Sequence, residues 1–265
     1  MTGRWRGILF WALALAITLA SAIYQRRTGP TYPVDLARSW RGTELSASLE
    51  RTHGGPGDQA VRVRDVPAGA EGVLIWRRYP TREDWARQPL VREGADLVGA
   101  LPHQPPAGKL EYRLELAARG DTLRLPEAGR VITRFKGAVP GWALLPHVLF
   151  IFLAMLVSNR AGLEALARGR RQTGYAVASF ALVALGGMIF GPIVQKYAFG
   201  ALWTGVPFGW DLTDNKTLIA FAAWLLAMLR LRARHAWLWV LAAAVVTLII
   251  FAIPHSLFGS ELRYE

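Results

Sequence analysis

The residues whose types could take part in binding or catalysis lie mainly in one stretch, residues 196–216. This stretch combines large aromatic rings with carboxylate, amide and amine groups. The members that we take as the candidate functional loop are Trp203, Phe208, Trp210, Asp211, Asp214, Asn215 and Lys216. Asp211 and Asp214 are three residues apart, a spacing that puts both on one face of a helix. Acid–base catalysis also needs a cleft residue beside such a pair, and none is evident here, so the sequence favours partner binding at this loop.

Glycine and proline interrupt this stretch repeatedly, which predicts a folded loop rather than a continuous helix. The interruptions are Gly200, Gly205, Pro207 and Gly209. Asp214 and Asn215 lie where the next apolar run begins, and either could cap a helix there, because a side-chain oxygen accepts from the unpaired N–H groups of the first turn. The alternative is that the rings form a belt in the lipid headgroup layer, where Trp and Tyr are favoured.

Composition excludes several classes of protein and site. The chain has 265 residues, of which 52% are hydrophobic, 19% are charged and 11 are Trp. This composition is typical neither of a disordered chain nor of a water-soluble domain. It has no cysteine, so disulfides, iron–sulfur clusters, thiolate zinc sites and covalently attached c-type haem are excluded. No nucleophile elbow, phosphate-binding loop, zinc-protease helix or dinucleotide fingerprint is present. A membrane enzyme with an unrecognised motif remains an alternative.

Five apolar runs predict a membrane bundle of about five transmembrane helices. The uncharged runs cover residues 8–24, 142–157, 175–194, 217–229 and 237–253. The fourth run is short, about 13 residues, unless its helix starts within the polar stretch before it, and we expect a partly buried or tilted entry. The first run also ends in the small residues of a signal-peptidase site, residues 20–22, so a cleaved signal peptide is the alternative to a retained anchor.

The positions of the arginines predict the orientation in the membrane. The net charge of +12 arises largely from short basic stretches at the ends of the apolar runs, which indicates membrane topology and not a nucleic-acid site. The arginines that precede the first run, join the second run to the third, and join the fourth to the fifth would face the cytoplasm. They are Arg4, Arg6, Arg160, Arg168, Arg170, Arg171, Arg230, Arg232 and Arg234. We therefore expect a multi-pass protein of a bacterial inner membrane, with its amino terminus in the cytoplasm and its carboxyl terminus in the periplasm.

Between the first and second runs the pattern changes to alternation of apolar and polar residues, which is typical of half-buried strands. Seven strands are predicted, at residues 44–50, 60–66, 72–79, 96–100, 109–117, 122–125 and 130–136. With Trp76 in the most apolar strand, this region resembles the immunoglobulin or fibronectin type III sandwich, in which a Trp anchors the centre and a Tyr lies on a later strand; the resemblance implies that Trp76 anchors the centre here. The predicted domains are an anchor or signal peptide (1–24), a periplasmic β-sandwich (25–139), a four-helix membrane domain (140–254) and a periplasmic tail (255–265).

The loop also carries a family resemblance. Trp203, the tripeptide Gly209-Trp210-Asp211 and the following residues 217–221 resemble the tryptophan-rich "WWD" loop of membrane proteins that handle haem in cytochrome c biogenesis. The resemblance implies a loop on the extracytoplasmic face flanked by histidines that ligate haem iron. His147 and His255 are predicted at that level of the membrane, so the resemblance implies a haem b site with these two as axial ligands.

These observations leave three functions open. The first is a non-catalytic accessory or assembly subunit of a membrane complex, which binds other subunits through the β-sandwich and the aromatic loop. The second is haem handling or electron transfer through His147 and His255. The third is the membrane enzyme with an unrecognised motif. In each case the bilayer is a partner, and we further expect the apolar and charged tail to fold back on the sandwich or the loop.

Overall fold

The computed structural model describes residues 3–254, 262 and 264 and divides them into two compact units. A helical unit takes residues 3–30 and 139–254. A β-unit takes residues 31–138 together with Leu262 and Tyr264 from the tail. The predicted combination of apolar helices with β-sheets is therefore confirmed at this level.

The helical unit contains six α-helices and one π-helical segment among its described residues. These are α1 (Gly3–Thr28), α2 (Gly141–Leu166), α3 (Gln172–Val183), the π-helical segment (Ala184–Phe190), α4 (Gly191–Phe199), α5 (Leu212–Leu229) and α6 (Ala236–Ala252). From α3 to α4 the chain is continuously helical over 28 residues, Gln172–Phe199. Of the alternatives left open for the short fourth run, the structure shows the earlier start: α5 begins in the polar stretch at Leu212.

Four of these helices are long and apolar enough to cross a membrane: Arg4–Thr28, Gly141–Leu166, Gln172–Phe199 and Leu212–Leu229. The fifth apolar helix of the described chain, Ala236–Ala252, is shorter at 17 residues. Large apolar side chains on the outer faces of these helices are exposed, among them Leu145 and Phe152. Exposed apolar faces of this kind fit a lipid environment, so the structure is compatible with a multi-pass membrane protein.

Small residues let the helices approach closely. The buried contacts are dominated by alanines packed around Trp224, whose indole N–H donates to Thr247 Oγ1 at 2.8 Å. A Cβ atom at Gly186 would lie 2.9 Å from Phe150 Cβ, and one at Gly187 would lie 2.5 Å from Thr217 Cγ2. These glycines therefore allow the π-helical segment to pack against α2 and α5, as expected for helix association in lipid.

Among its described residues the β-unit contains eleven strands in two sheets. The strands are β1 (Val34–Trp40), β2 (Thr43–Leu49), β3 (Thr52–Gly54), β4 (Gln59–Arg64), β5 (Glu71–Arg78), β6 (Ala86–Pro89), β7 (Val91–Glu93), β8 (Asp96–Leu101), β9 (Lys109–Ala118), β10 (Asp121–Leu125) and β11 (Val131–Lys136). One sheet has the order β1-β2-β4-β8-β7, and the other has the order β3-β11-β9-β5-β6, with β10 also paired to β9. The β3–β11 pair is parallel and the other described pairs are antiparallel.

The two sheets share one apolar core, to which both contribute alternate residues. Tyr112 on β9 is fully buried in it, and its hydroxyl donates to Glu50 O at 2.8 Å. Trp76 is only partly buried and packs against this core from β5, opposite Tyr112. The expectation that Trp76 anchors the centre is therefore wrong: the buried centre of this sheet consists of Tyr112 and neighbouring leucines.

The seven predicted strands all form, within about one residue of their predicted ends except at the end of β4. The sequence prediction missed four strands: β1, β3, β6 and β7. Their side chains are mostly exposed or half-exposed, so they lack the alternation of buried and exposed residues that marks a strand in a sequence.

The described tail residues belong to the β-unit, as the sequence suggested. The Tyr264 hydroxyl accepts from Lys109 N at 2.9 Å and lies 3.1 Å from Gln104 Oε1, while Leu262 N donates to Ala107 O at 3.2 Å. The Arg78 guanidinium lies over the Tyr264 ring at 5.3 Å. Burial raises the pKa of the Tyr264 phenol, so the group stays protonated at neutral pH and can donate as well as accept.

Replacing Tyr264 with phenylalanine should lower the free energy of unfolding of the β-unit by about 1 kcal/mol, because the Lys109 N–H loses its acceptor. Chemical denaturation of the full-length protein, followed by tryptophan fluorescence, measures the change. Tyr32→Phe in the same unit is the matched control, since within the described chain its hydroxyl makes no hydrogen bond. Equal stabilities of the two variants would contradict the anchoring of the tail by this hydroxyl.

Candidate functional site

The predicted loop lies between α4 and α5 and begins with a left-handed residue. Gly200 has φ +87° and its N–H donates to Lys196 O at 2.9 Å, which ends α4. A residue with a side chain is strained in this conformation, so glycine is favoured at the turn out of the helix.

Asp211 caps the helix that follows the loop. Its Oδ1 accepts from Thr213 N at 2.8 Å and from Asp214 N at 3.3 Å, which satisfies two of the unpaired donors at the start of α5. The prediction that Asp214 or Asn215 caps this helix is therefore wrong. The cap lies three residues earlier because the helix begins at Leu212.

Asp214 instead joins the loop to both helices. Its side chain is 5% exposed, and its Oδ2 accepts from two backbone groups of the loop, Thr204 N at 2.6 Å and Gly205 N at 3.0 Å. The same oxygen accepts from Gln195 Nε2 on α4 at 2.9 Å and from Thr204 Oγ1 at 3.3 Å. One carboxylate oxygen therefore fixes the end of α4, the loop and the first turn of α5 relative to one another.

Asn215 and two glycines complete the closed loop. Asn215 Oδ1 accepts from Val206 N at 2.8 Å. A Cβ atom at Gly205 would lie 2.7 Å from Asp214 Cβ, and one at Gly209 would lie 2.5 Å from Thr204 O. Both positions therefore require glycine for the backbone to approach so closely.

Lys216 is buried, 4% exposed, and fixes the end of α6. Its Nζ donates to Ile253 O at 2.9 Å and to Pro254 O at 3.4 Å, while the charge of Asp211 attracts it electrostatically. Gln25 of α1 donates to the same Ile253 O at 3.1 Å. Lys216 is therefore a cation at the C-terminus of a helix, where the helix dipole favours positive charge.

Two of the three aromatic residues in the predicted site are exposed and do not hold the loop closed. Phe208 is 80% exposed and Trp210 is 86% exposed, although the backbone that carries them is held closely. Trp203 is half-buried and its indole N–H donates to Val206 O at 3.1 Å, which closes the loop internally. The predicted site thus separates into a polar group that fixes the loop and two exposed rings that the loop presents.

His147 lies in α2 with its Nδ1 2.9 Å from Gly186 O. Because a carbonyl only accepts, Nδ1 carries the proton, and Nε2 is the nitrogen that a metal could bind. The ring borders a largely apolar cavity of about 210 Å³, which Gln25 and Phe251 also line. His255 lies outside the described residues, so the paired haem ligation stays a prediction. Within the described chain no cluster of three or more His, Asp or Glu side chains could hold a metal.

Sequence reasoning missed Gln195 and Thr204, which bind the same carboxylate as the loop backbone. A signal for Gln195 existed, since it directly follows the apolar run 175–194, and an uncharged polar amide at the end of such a run must find a partner. Thr204 had no such signal, because hydroxyls are common in loops.

Replacing Asp214 with alanine should lower the free energy of unfolding by about 3 kcal/mol, because hydrogen bonds to a charged group contribute roughly 1.5–3 kcal/mol and the loop donors would be left unpaired. Limited proteolysis of the purified protein should then cleave the loop much faster than in the parent protein.

Asp211→Ala is the control, because it removes the helix cap, with an expected cost of about 1 kcal/mol, and the attraction to Lys216, but leaves the Asp214 contacts in place. If the two variants were cleaved in the loop at the same rate, Asp214 would not be the group that holds it closed.

Compared with known proteins, the chain matches no family model, no curated protein and no solved structure.

Proposed function

We propose that this protein is a non-catalytic, multi-pass subunit of a bacterial inner-membrane complex and that it docks another subunit through the loop of residues 200–211. The observation that carries the proposal is the contrast within this loop. Its backbone is fixed by the buried Asp214, yet Phe208 and Trp210 are almost fully exposed. Rings that contribute little to the protein's own core are available to a partner.

A fixed backbone favours docking over simple anchoring in lipid. Rings in the headgroup layer need only lie at the right depth, and a mobile loop can achieve that. A protein interface gains affinity when the loop is ordered before binding, because less conformational entropy is lost on association. Tryptophan is also enriched among the residues that dominate interface energies.

We propose that the β-unit is an immunoglobulin-like sandwich that also binds the partner, through a surface of its own. Its size, its two sheets and their shared apolar core support this. The parallel β3–β11 pair and the total of eleven strands are additions to the seven or nine strands of that plan. The edge strands β1 and β7 carry mostly exposed side chains, and an edge strand offers unpaired backbone groups to a partner.

We also propose five transmembrane helices, with the amino terminus in the cytoplasm. The tail residues Leu262 and Tyr264 pack within the β-unit, so the chain must return to the side of the membrane from which α2 departs. That return requires an even number of crossings. If α2, the α3–α4 helix and α5 all cross, then the 17-residue α6 must cross as well.

Single-cysteine labelling tests this topology directly, because the chain contains no cysteine. In intact cells a membrane-impermeant maleimide should label Phe208→Cys in the loop and Glu127→Cys in the β-unit. Arg232→Cys, in the connection between α5 and α6, should be labelled only after the membrane is permeabilised. Labelling of Arg232→Cys in intact cells, or protection of both Phe208→Cys and Glu127→Cys, would refute the arrangement, whereas protection of Phe208→Cys alone would show a partner docked on the loop.

A photo-crosslinking amino acid at position 208 or 210 tests the docking function. Irradiation of cells should give a discrete protein adduct from either position, and none from position 145, an exposed site on α2 that serves as the control. The double variant Phe208→Ala, Trp210→Ala should lose co-purification of the same protein, while its stability changes by less than about 0.5 kcal/mol because both rings are exposed. Adducts with lipid alone would show that the rings are a membrane belt.

A further inference from the structure

A second polar site lies at the other end of the helical unit. The continuous helix Gln172–Phe199 separates it from the aromatic loop, which corresponds to roughly 40 Å at the rise of an α-helix. A cavity of about 370 Å³ opens there between the start of α1, the end of α2 and the connection to α3. It is lined by Arg6, Gly7, Arg160, Glu164, Arg168, Gly169, Arg170 and Arg171. Five cations and one carboxylate thus face one cavity.

The central residue of this cavity is Arg160, which is 2% exposed. Its Nη2 donates to Glu164 Oε2 at 2.9 Å, and its guanidinium lies 4.5 Å from the centre of the Tyr175 ring. Its Nε and Nη1 have no hydrogen-bond partner among the residues that the structure describes. A guanidinium has five N–H donors, and a buried charge is costly unless those donors are satisfied. An anion in the cavity would supply the missing acceptors.

Specific contacts of Glu164 order the walls of the cavity, so the cavity is not a chance cluster of surface arginines. Glu164 accepts from Arg171 N at 3.4 Å through its side chain and from Gly169 N at 2.8 Å through its carbonyl. A Cβ atom at Gly169 would lie 2.0 Å from Glu164 Oε1, so only glycine lets the connection close against this carboxylate. Glu164 therefore neutralises one charge and holds the segment that carries Arg168, Arg170 and Arg171.

The excess positive charge selects the ligand. Planar guanidinium groups bind phosphate oxygens through paired hydrogen bonds, and several can share one phosphate. The cavity lies at the ends of apolar helices, which is the level of lipid headgroups in a membrane, and basic pockets between transmembrane helices bind anionic headgroups. We infer that this cavity is a binding site for a phosphate group, presented by an anionic phospholipid.

Two variants test the site without removing the buried Arg160–Glu164 pair. Arg6→Ala, Arg170→Ala removes two exposed cations that line the cavity. Gly7→Leu keeps every charge and instead adds apolar bulk to the wall of the cavity, at a position where a Cβ atom meets nothing within 4 Å and where leucine is favoured over glycine in a helix. Arg232→Ala, Arg234→Ala removes the same charge from exposed positions outside the cavity and is the matched control.

Binding is measured on the full-length protein in a neutral detergent by native mass spectrometry and by the rise in Tm with added phosphatidylglycerol, phosphatidylcholine or inorganic phosphate. We expect retention of phosphatidylglycerol, little response to phosphatidylcholine, and affinity for phosphatidylglycerol about tenfold or more weaker in both cavity variants. The control should bind like the parent protein.

A response to inorganic phosphate but not to phosphatidylglycerol would support the phosphate site and assign it to a soluble ligand. Equal weakening in the cavity variants and the control would overturn the proposal, since it would reduce the effect to general attraction between a basic surface and anionic lipid. Absence of binding in the parent protein would overturn it as well.

Discussion

A buried carboxylate controls the end of the helical unit that carries the aromatic loop. Asp214 is taken out of water, and a charge in that position is tolerated only when donors surround it. The donors come from α4, from the loop backbone and from a loop hydroxyl, so satisfying the charge forces these three parts together. Phe208 and Trp210 lie between these fixed points and remain exposed.

The same principle joins α5 to the rest of the bundle. Lys216 lies two residues after Asp214 and is equally buried, but it donates to carbonyl groups at the end of α6, which Gln25 of α1 also reaches. Acidic and basic side chains of a single helical turn thus hold different neighbours. Since helix packing in lipid gains little from the hydrophobic effect, such polar contacts and the alanine-rich faces around Trp224 carry much of the specificity.

The two ends of the helical unit differ in how completely their charges are satisfied. Near the loop, Asp214 and Lys216 find their partners within the described chain. At the other end, Arg160 is equally buried but two of its nitrogens have no acceptor among the described residues, beside a cavity lined by further arginines. At the loop end the protein itself supplies the partners of the buried charges, and the exposed rings are the groups that remain to bind another molecule. At the other end the buried charge is fully satisfied only when an anion binds.

The amino-acid sequence by itself determined the features that repeat along the chain. Apolar runs predicted the helices, alternation predicted the strands with a buried face, and glycine and proline predicted the loop, because each pattern reflects the local geometry of one element. Only the tertiary structure decided which acid caps α5, that Lys216 is buried at the end of α6, that Tyr112 and not Trp76 is central, and that four exposed strands exist at all. These depend on residues far apart in the chain. A side chain's partners, and therefore its role, are fixed only when distant elements pack and remove it from water.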